Sequence, residues 1–115
     1  MIAIIFEVTP APGQQGTYLE HAARLRAELE KMDGFISVER FQSLTNPDKL
    51  LSISFWRDED SVKAWRNHAA HRETQTAARA GIFDGYRLRV AQVLRDYGMH
   101  ERREQAPEDS RKRFG

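Results

Sequence analysis

Apolar positions change period repeatedly along the chain, and each change marks an element. Ile2 to Val8 is a short β-branched run broken only by Glu7, which predicts a strand buried on both faces. Pro10, Pro12, Gly13 and Gly16 predict a loop from Thr9 to Gly16. Thr17 with Glu20 three residues later has the form of a capping box, so a helix is expected to start there. Tyr18, Ala22, Leu25, Leu29 and Met32 follow at spacings of four and three, one apolar stripe with charges on the other face. Gly34 stands where a left-handed C-terminal cap belongs.

From Phe35 to Ser43 the pattern is that of a second strand, carried by Phe35, Ile36, Val38 and Phe41. Thr45-Asn46-Pro47-Asp48 is turn chemistry, and Lys49 to Arg57 reads as a third strand returning beside the second. Its alternation puts Leu51, Ile53 and Phe55 on one face and Leu50, Ser52, Ser54 and Trp56 on the other. Asp58 is placed to cap a second helix, with Glu59 and Asp60 at the positive end of its dipole. That helix sets Val62, Trp65 and Ala69 on one face, with a break expected near Asn67 to Ala70. A further helical piece is expected to run to Ala80 and end at Gly81. Asp84-Gly85 is read as a turn, and Tyr86 to Tyr97 as a long last strand. In it Tyr86, Leu88, Val90 and Leu94 alternate against Arg87, Arg89, Ala91, Val93 and Arg95.

The order strand, helix, strand, strand, helix, strand predicts an α+β, ferredoxin-like split βαβ sandwich: a four-stranded antiparallel sheet with both helices on one face. Residues 1–97 form the expected domain and 98–115 a charged C-terminal tail. The tail is nearly free of apolar residues, a composition of disorder, with Phe114 as its only large apolar anchor. Several strands are apolar on both sides, so the sheet face away from the helices is expected to meet a second sheet, giving a homodimer and a dimeric α+β barrel.

Composition narrows the function. A net charge of +1 gives no strong attraction to nucleic acid or anionic membrane, and the cations do not interleave with aromatics as a single-strand platform would. No cysteine is present, which removes disulfides, thiolate metal sites and cysteine nucleophiles and fits a reducing cytoplasm. Met1 to Val8 is no signal sequence, and no apolar run reaches bilayer length, so a cytoplasmic protein without a membrane partner is expected. Glycine-rich phosphate loops, G-x-S-x-G elbows and dinucleotide fingerprints are missing too.

Ser54-Phe55-Trp56-Arg57-Asp58-Glu59, then Ala64-Trp65 and His71, with Gly34-Phe35 and the strand Ile4 to Val8, resemble the antibiotic biosynthesis monooxygenase (ABM) family of the dimeric α+β barrel superfamily. The resemblance covers residues 1–97. It implies dimers with a pocket in each subunit between sheet and helices, and, from the best-studied members, oxidation of polycyclic phenols to quinones by O2 without metal or flavin. Haem-degrading members of the superfamily resemble the chain at Trp65. They carry a histidine where this chain has Gln75 and an asparagine near the position of Glu7, which counts against haem.

Candidate site residues each carry a plainer reading as well. Trp65 is either a core tryptophan or a pocket wall with an indole N–H donor. His71 is either a surface or capping histidine or a general base at a pocket mouth. Asn67 is a local cap for the next helical piece or an amide donor to a bound oxyanion. Among the arginines of the last strand, Arg87 is the one expected to reach a phenolate, against an ordinary solvated edge or an ion pair across a dimer. Phe35, Phe55, Phe83 and Tyr86 are the candidate substrate-binding walls, or simply core. His68 and His71 at i, i+3 suggest a metal pair, but no further ligand is evident, so no metal and no cofactor are expected. The expected activity is a cofactor-independent monooxygenase oxidising an aromatic, polyketide-like phenolic substrate with O2. The alternative is a non-catalytic small-molecule-binding or assembly domain on the same barrel, and a third possibility is an isomerase or lactone-processing enzyme using His71.

Overall fold

A computed structural model describes residues 1–68, 76 and 78–114. Strands β1 (Ile2–Pro10), β2 (Phe35–Gln42), β3 (Leu50–Trp56) and β4 (Phe83–Gln92) form one antiparallel sheet in the order β2-β3-β1-β4. Helix α1 (Gln15–Leu29) links β1 to β2, and α2 (Glu59–Arg66) follows β3 directly. The expected α+β, ferredoxin-like arrangement is the one found.

Register fixes what each face carries. Ile2, Ile4, Phe6 and Val8 of β1 stand opposite Trp56, Ser54, Ser52 and Leu50 on one side and Gln92, Val90, Leu88 and Tyr86 on the other. This is the helix side. Ile2, Val38 and Trp56 pack there with Leu29 of α1 and Trp65 of α2, and Val8 and Leu50 pack with Tyr18. The α1 stripe read from the sequence is the stripe that is buried. Trp56, 1% exposed, is the largest fully buried side chain.

The opposite side carries Ala3, Ile5 and Glu7, Leu51, Ile53 and Phe55, Phe41, and Arg87, Arg89 and Ala91. No described helix packs on it, and the shortest dimension of the molecule is 19 Å, the depth of one sheet and one helix layer. Strands β1 and β3 thus carry apolar residues on both sides, as expected, while β2 and β4 add Ser37, Glu39, Arg87 and Arg89 to this face.

Strand ends differ from the sequence reading by a residue or two at β2 and β3, β1 runs on to Pro10 into the expected loop, and larger differences lie elsewhere. Helix α1 starts at Gln15, not at Thr17, and its cap position, Gln14, makes no side-chain capping bond. A backbone turn does the work instead. Gln14 N donates to Ala11 O at 2.8 Å, Gly13 supplies φ +76°, and Tyr18 N already donates to Gln14 O at 2.9 Å. Strand β4 runs from Phe83 to Gln92, not from Tyr86 to Tyr97. Its length is set by its strand neighbour β1: Asp84-Gly85 is absorbed in the ladder beside an irregularity at Thr9/Pro10, and pairing stops where β1 begins at Ile2. The tail is not featureless either, since it forms a single 3-10 turn at Arg103–Gln105 and a helix α3 (Glu108–Phe114). The Phe114 side chain lies outside the described residues.

Candidate functional site

The joint between β3 and α2 positions the site, and its sequence explains its shape. Asp58 caps α2: Ser61 N donates to Asp58 Oδ1 at 2.9 Å and the Ser61 hydroxyl donates to the same oxygen at 2.7 Å. These bonds, with Arg57 Nε at 3.1 Å from the other oxygen, hold the Asp58 carboxyl down at about 2. Arg57 also forks onto Asp33, with Nη1 to Oδ1 and Nη2 to Oδ2 both at 3.1 Å, which lowers the Asp33 carboxyl. Arg57 N donates to Gly34 O at 2.8 Å, so the end of α1 and the start of α2 are tied at one point.

Above that joint sits the first aromatic group. Trp56 meets Phe35 edge-on at 5.4 Å and Trp65 at 6.4 Å, and Trp65 stacks on His68 at 5.5 Å and 19°. The Trp56 indole N–H donates to Ser54 Oγ at 3.0 Å, the polar partner a buried indole needs. His68 Nε2 lies 4.0 Å from Glu28 of α1, so this ring bridges the two helices. His68 was legible only as half of a possible metal pair. Its i, i+3 spacing from Trp65 was the signal for the stacking it makes.

A second aromatic group lies on the same sheet face. Phe6 contacts Phe83 at 6.0 Å and Tyr86 at 5.7 Å, and Tyr18 of α1 meets Phe83 edge-on at 5.5 Å. From it an apolar row runs along the helix side of β4. Tyr86, Leu88 and Val90 are 66%, 49% and 52% exposed, although their neighbours Val8, Phe6 and Ile4 on β1 are buried or half-buried. Tyr86 to Val90 spans about 13 Å, the length of a fused two- or three-ring molecule. The surface has a wall at one end, Phe83 and Tyr86, and β1 side chains along one edge. A flat apolar ligand placed there would cover exposed carbon.

The structure separates the predicted site residues. Trp65 and Phe35 belong to the first aromatic group, Phe83 and Tyr86 to the second. Asn67 is the C-terminal cap residue of α2, its side-chain amide donating to Lys63 O at 2.9 Å, so it closes the preceding helix, whereas the sequence reading has it capping the next helical piece. Arg87 and Phe55 lie on the other side of the sheet, because Arg87 pairs with Glu7 and Phe55 with Ala3. The nearby Arg89 Nη1 and Lys49 Nζ, at 3.3 and 3.4 Å from the Glu7 carboxylate, keep that carboxyl below its usual range. His71 and Gln75 lie outside the described residues, as does Ala69. A separate cleft of about 630 Å³ opens between α1 and the edge strand β2, and Phe55 is the one predicted residue bordering it.

Sheet order, helix placement and the two aromatic groups define a ferredoxin-like α+β domain. Solved structures share it: Rv0793 from Mycobacterium tuberculosis (TM-score 0.76, 13% identity, 84% of this chain and 98% of that one) and SnoaB, a cofactor-independent oxygenase from Streptomyces nogalater (TM-score 0.72, 15% identity, 83% and 94%). At such identities the likeness is one of fold. The family described as Antibiotic biosynthesis monooxygenase matches residues 1–77, and the chain belongs to that family. A curated relative, "Jasmonate monooxygenase ABM" of Pyricularia oryzae, is 50% identical over 93 residues, which are 81% of this chain and 43% of that protein. The chain therefore spans less than half the length of that relative. Among the described residues, no helix is long and apolar enough to cross a membrane.

Proposed function

We propose that the chain is a cofactor-independent monooxygenase that oxidises an aromatic, polyketide-like phenol with O2, and that it works as a homodimer. The observation that carries this reading is the exposed apolar row Tyr86, Leu88, Val90 on the helix side of the sheet, in a chain of this family. The substrate ring lies on that row against Phe6 and Phe83. Trp65, Asn67 and His68 stand at the end of α2, and His71 is assigned as the base that takes the substrate's proton. The resulting carbanion or phenolate is electron-rich enough to reduce dioxygen itself. For an anthrone-type substrate, the ring methylene loses two hydrogens and gains one oxygen atom as a carbonyl, and the second oxygen atom leaves as water with those hydrogens. No external reductant is required. The protein's part is to favour the anion and exclude water, and one oriented donor to such an anion is worth about 3 kcal/mol.

The second sheet face takes the partner subunit in this reading. Ile5, Leu51, Ile53 and Phe55 form its apolar centre, and Arg87 and Arg89 lie at its β4 margin. Arg87 is therefore assigned to subunit contact and not to the phenolate. Residues 1–97 are the working unit, 98–115 an appended tail. The cysteine-free composition suits the cytoplasm, where we place the protein.

The test is oxygen uptake and quinone absorbance with a panel of anthrones and hydroquinones in the presence of a chelator. Because the Pyricularia relative is named for jasmonate, that compound joins the panel. Turnover that is lost in Leu88→Glu, with the fold intact, supports the reading. Oxygen uptake that never exceeds the buffer rate on any compound refutes it and favours a binding domain.

A further inference from the structure

The cleft between α1 and β2 belongs to neither aromatic group, and its origin can be traced to the sequence. Leu19, Ala22, Ala23 and Arg26 fall at i, i+3, i+4 and i+7, so they share one stripe of α1 facing the edge strand. The two alanines leave the space. Val38, buried, forms the floor, and Arg40 stands beside it on the helix side of β2, opposite Ser52.

Arg40 is the unusual member. Its Nε is hidden from solvent, and among the described residues it has no hydrogen-bond partner and no carboxylate within ion-pair distance. The acidic group nearest in sequence, Glu39, pairs with Ile53 on the other side of the sheet, and the residue also borders the cleft at the β2 edge. Arg26, at the rim, forms an ion pair with Glu30 at 3.4 Å on the exposed surface of α1. The cleft thus combines an apolar wall with two cations, Arg26 and Arg40, and Glu39 also borders it. Leu19 to Arg26 measures about 10 Å along the helix, and a cavity of about 630 Å³ is of ligand size.

We propose that this cleft binds the carboxylate of a small amphipathic acid, its head group on Arg40 with Arg26 at the mouth and its apolar body along Leu19, Ala22 and Val38. The inference does not depend on the oxygenase reading, since it uses no residue of the β4 row.

The probe is decanoate, titrated into the full-length chain by calorimetry and followed by backbone amide shifts, with decanol as the neutral twin. Decanoate is expected to bind one-to-one and to shift the amides of Leu19, Ala22 and Val38. Decanol and the Arg40→Gln variant are expected to be weaker by about tenfold or more, the loss of a charge-assisted bond. Arg40→Lys keeps the charge without the fork and is expected to fall between, with thermal melts showing all variants folded. Absence of decanoate binding, equal affinity for decanol, an unchanged Arg40→Gln affinity, or shifts centred on Tyr86, Leu88 and Val90 would each overturn the proposal.

Discussion

Gly34→Ala concentrates the structural account in a single methyl group. Gly34 sits at φ +86°, beyond the end of α1, and its Cα faces Ser61. An added Cβ would lie 2.6 Å from Ser61 Cβ and press on the Ser61 hydroxyl, which is engaged with Asp58. Two independent costs follow. A left-handed backbone costs an alanine about 1–2 kcal/mol. Forcing a methyl group into a filled contact costs about 1–3 kcal/mol more. The total is about 2–5 kcal/mol. For a chain of 115 residues the unfolding entropy near the midpoint is about 240 cal/mol/K, so each kcal/mol moves the midpoint by about 4 °C. The expected loss is about 8–20 °C in a thermal melt followed by circular dichroism. A double-mutant cycle separates the costs. With Ser61→Gly in the background, the packing cost disappears and the backbone cost of about 1–2 kcal/mol stays. A Gly34→Ala penalty below about 0.5 kcal/mol, or one of equal size in both backgrounds, would refute the reasoning.

Other perturbations test other parts. Ser54→Ala strands the buried Trp56 indole N–H and should cost about 1–3 kcal/mol in denaturant titration, and far less when Trp56 is already phenylalanine. Asp58 has a folded pKa of about 2 against an ordinary 3.8, so its contribution is complete above the ordinary value and is lost as pH falls toward 2. The midpoint of wild type should therefore drop across that window, and Asp58→Asn should show a shallower drop. Ile53→Glu on the open sheet face should halve the particle mass in light scattering without lowering helix content. A mass that is monomeric in wild type as well would end the homodimer assignment.

How much was legible in advance divides along physical lines. The faces of β3 were readable because period-two alternation is a property of the strand itself, and Trp56 and Leu50 are buried where Phe55 and Ile53 are not. Asp58 was readable because its cap is local, closed within three residues. The start of α1 was not, since a backbone turn through Gly13 replaced the side-chain cap that Thr17 and Glu20 suggested. The ends of β4 were hidden for another reason: they are set by β1, more than seventy residues earlier in sequence. The same pairing decides Arg87. Alternation alone put Arg87 opposite to Tyr86 and Leu88, but only the register of Tyr86 on Val8 and Arg87 on Glu7 shows that Arg87 is on the helix-free side. Site residues on α2 were found by motif, and their mutual contacts, above all Trp65 on His68, required the fold.

The central claim is that oxidation occurs on the helix side of β1 and β4. Its most direct measurement is isotope incorporation: turnover under labelled dioxygen, with product mass read for wild type and for Leu88→Glu. The account predicts one labelled oxygen atom in the wild-type product and none above background from the variant. Unlabelled product from wild type, or equal labelling by both proteins, would contradict it.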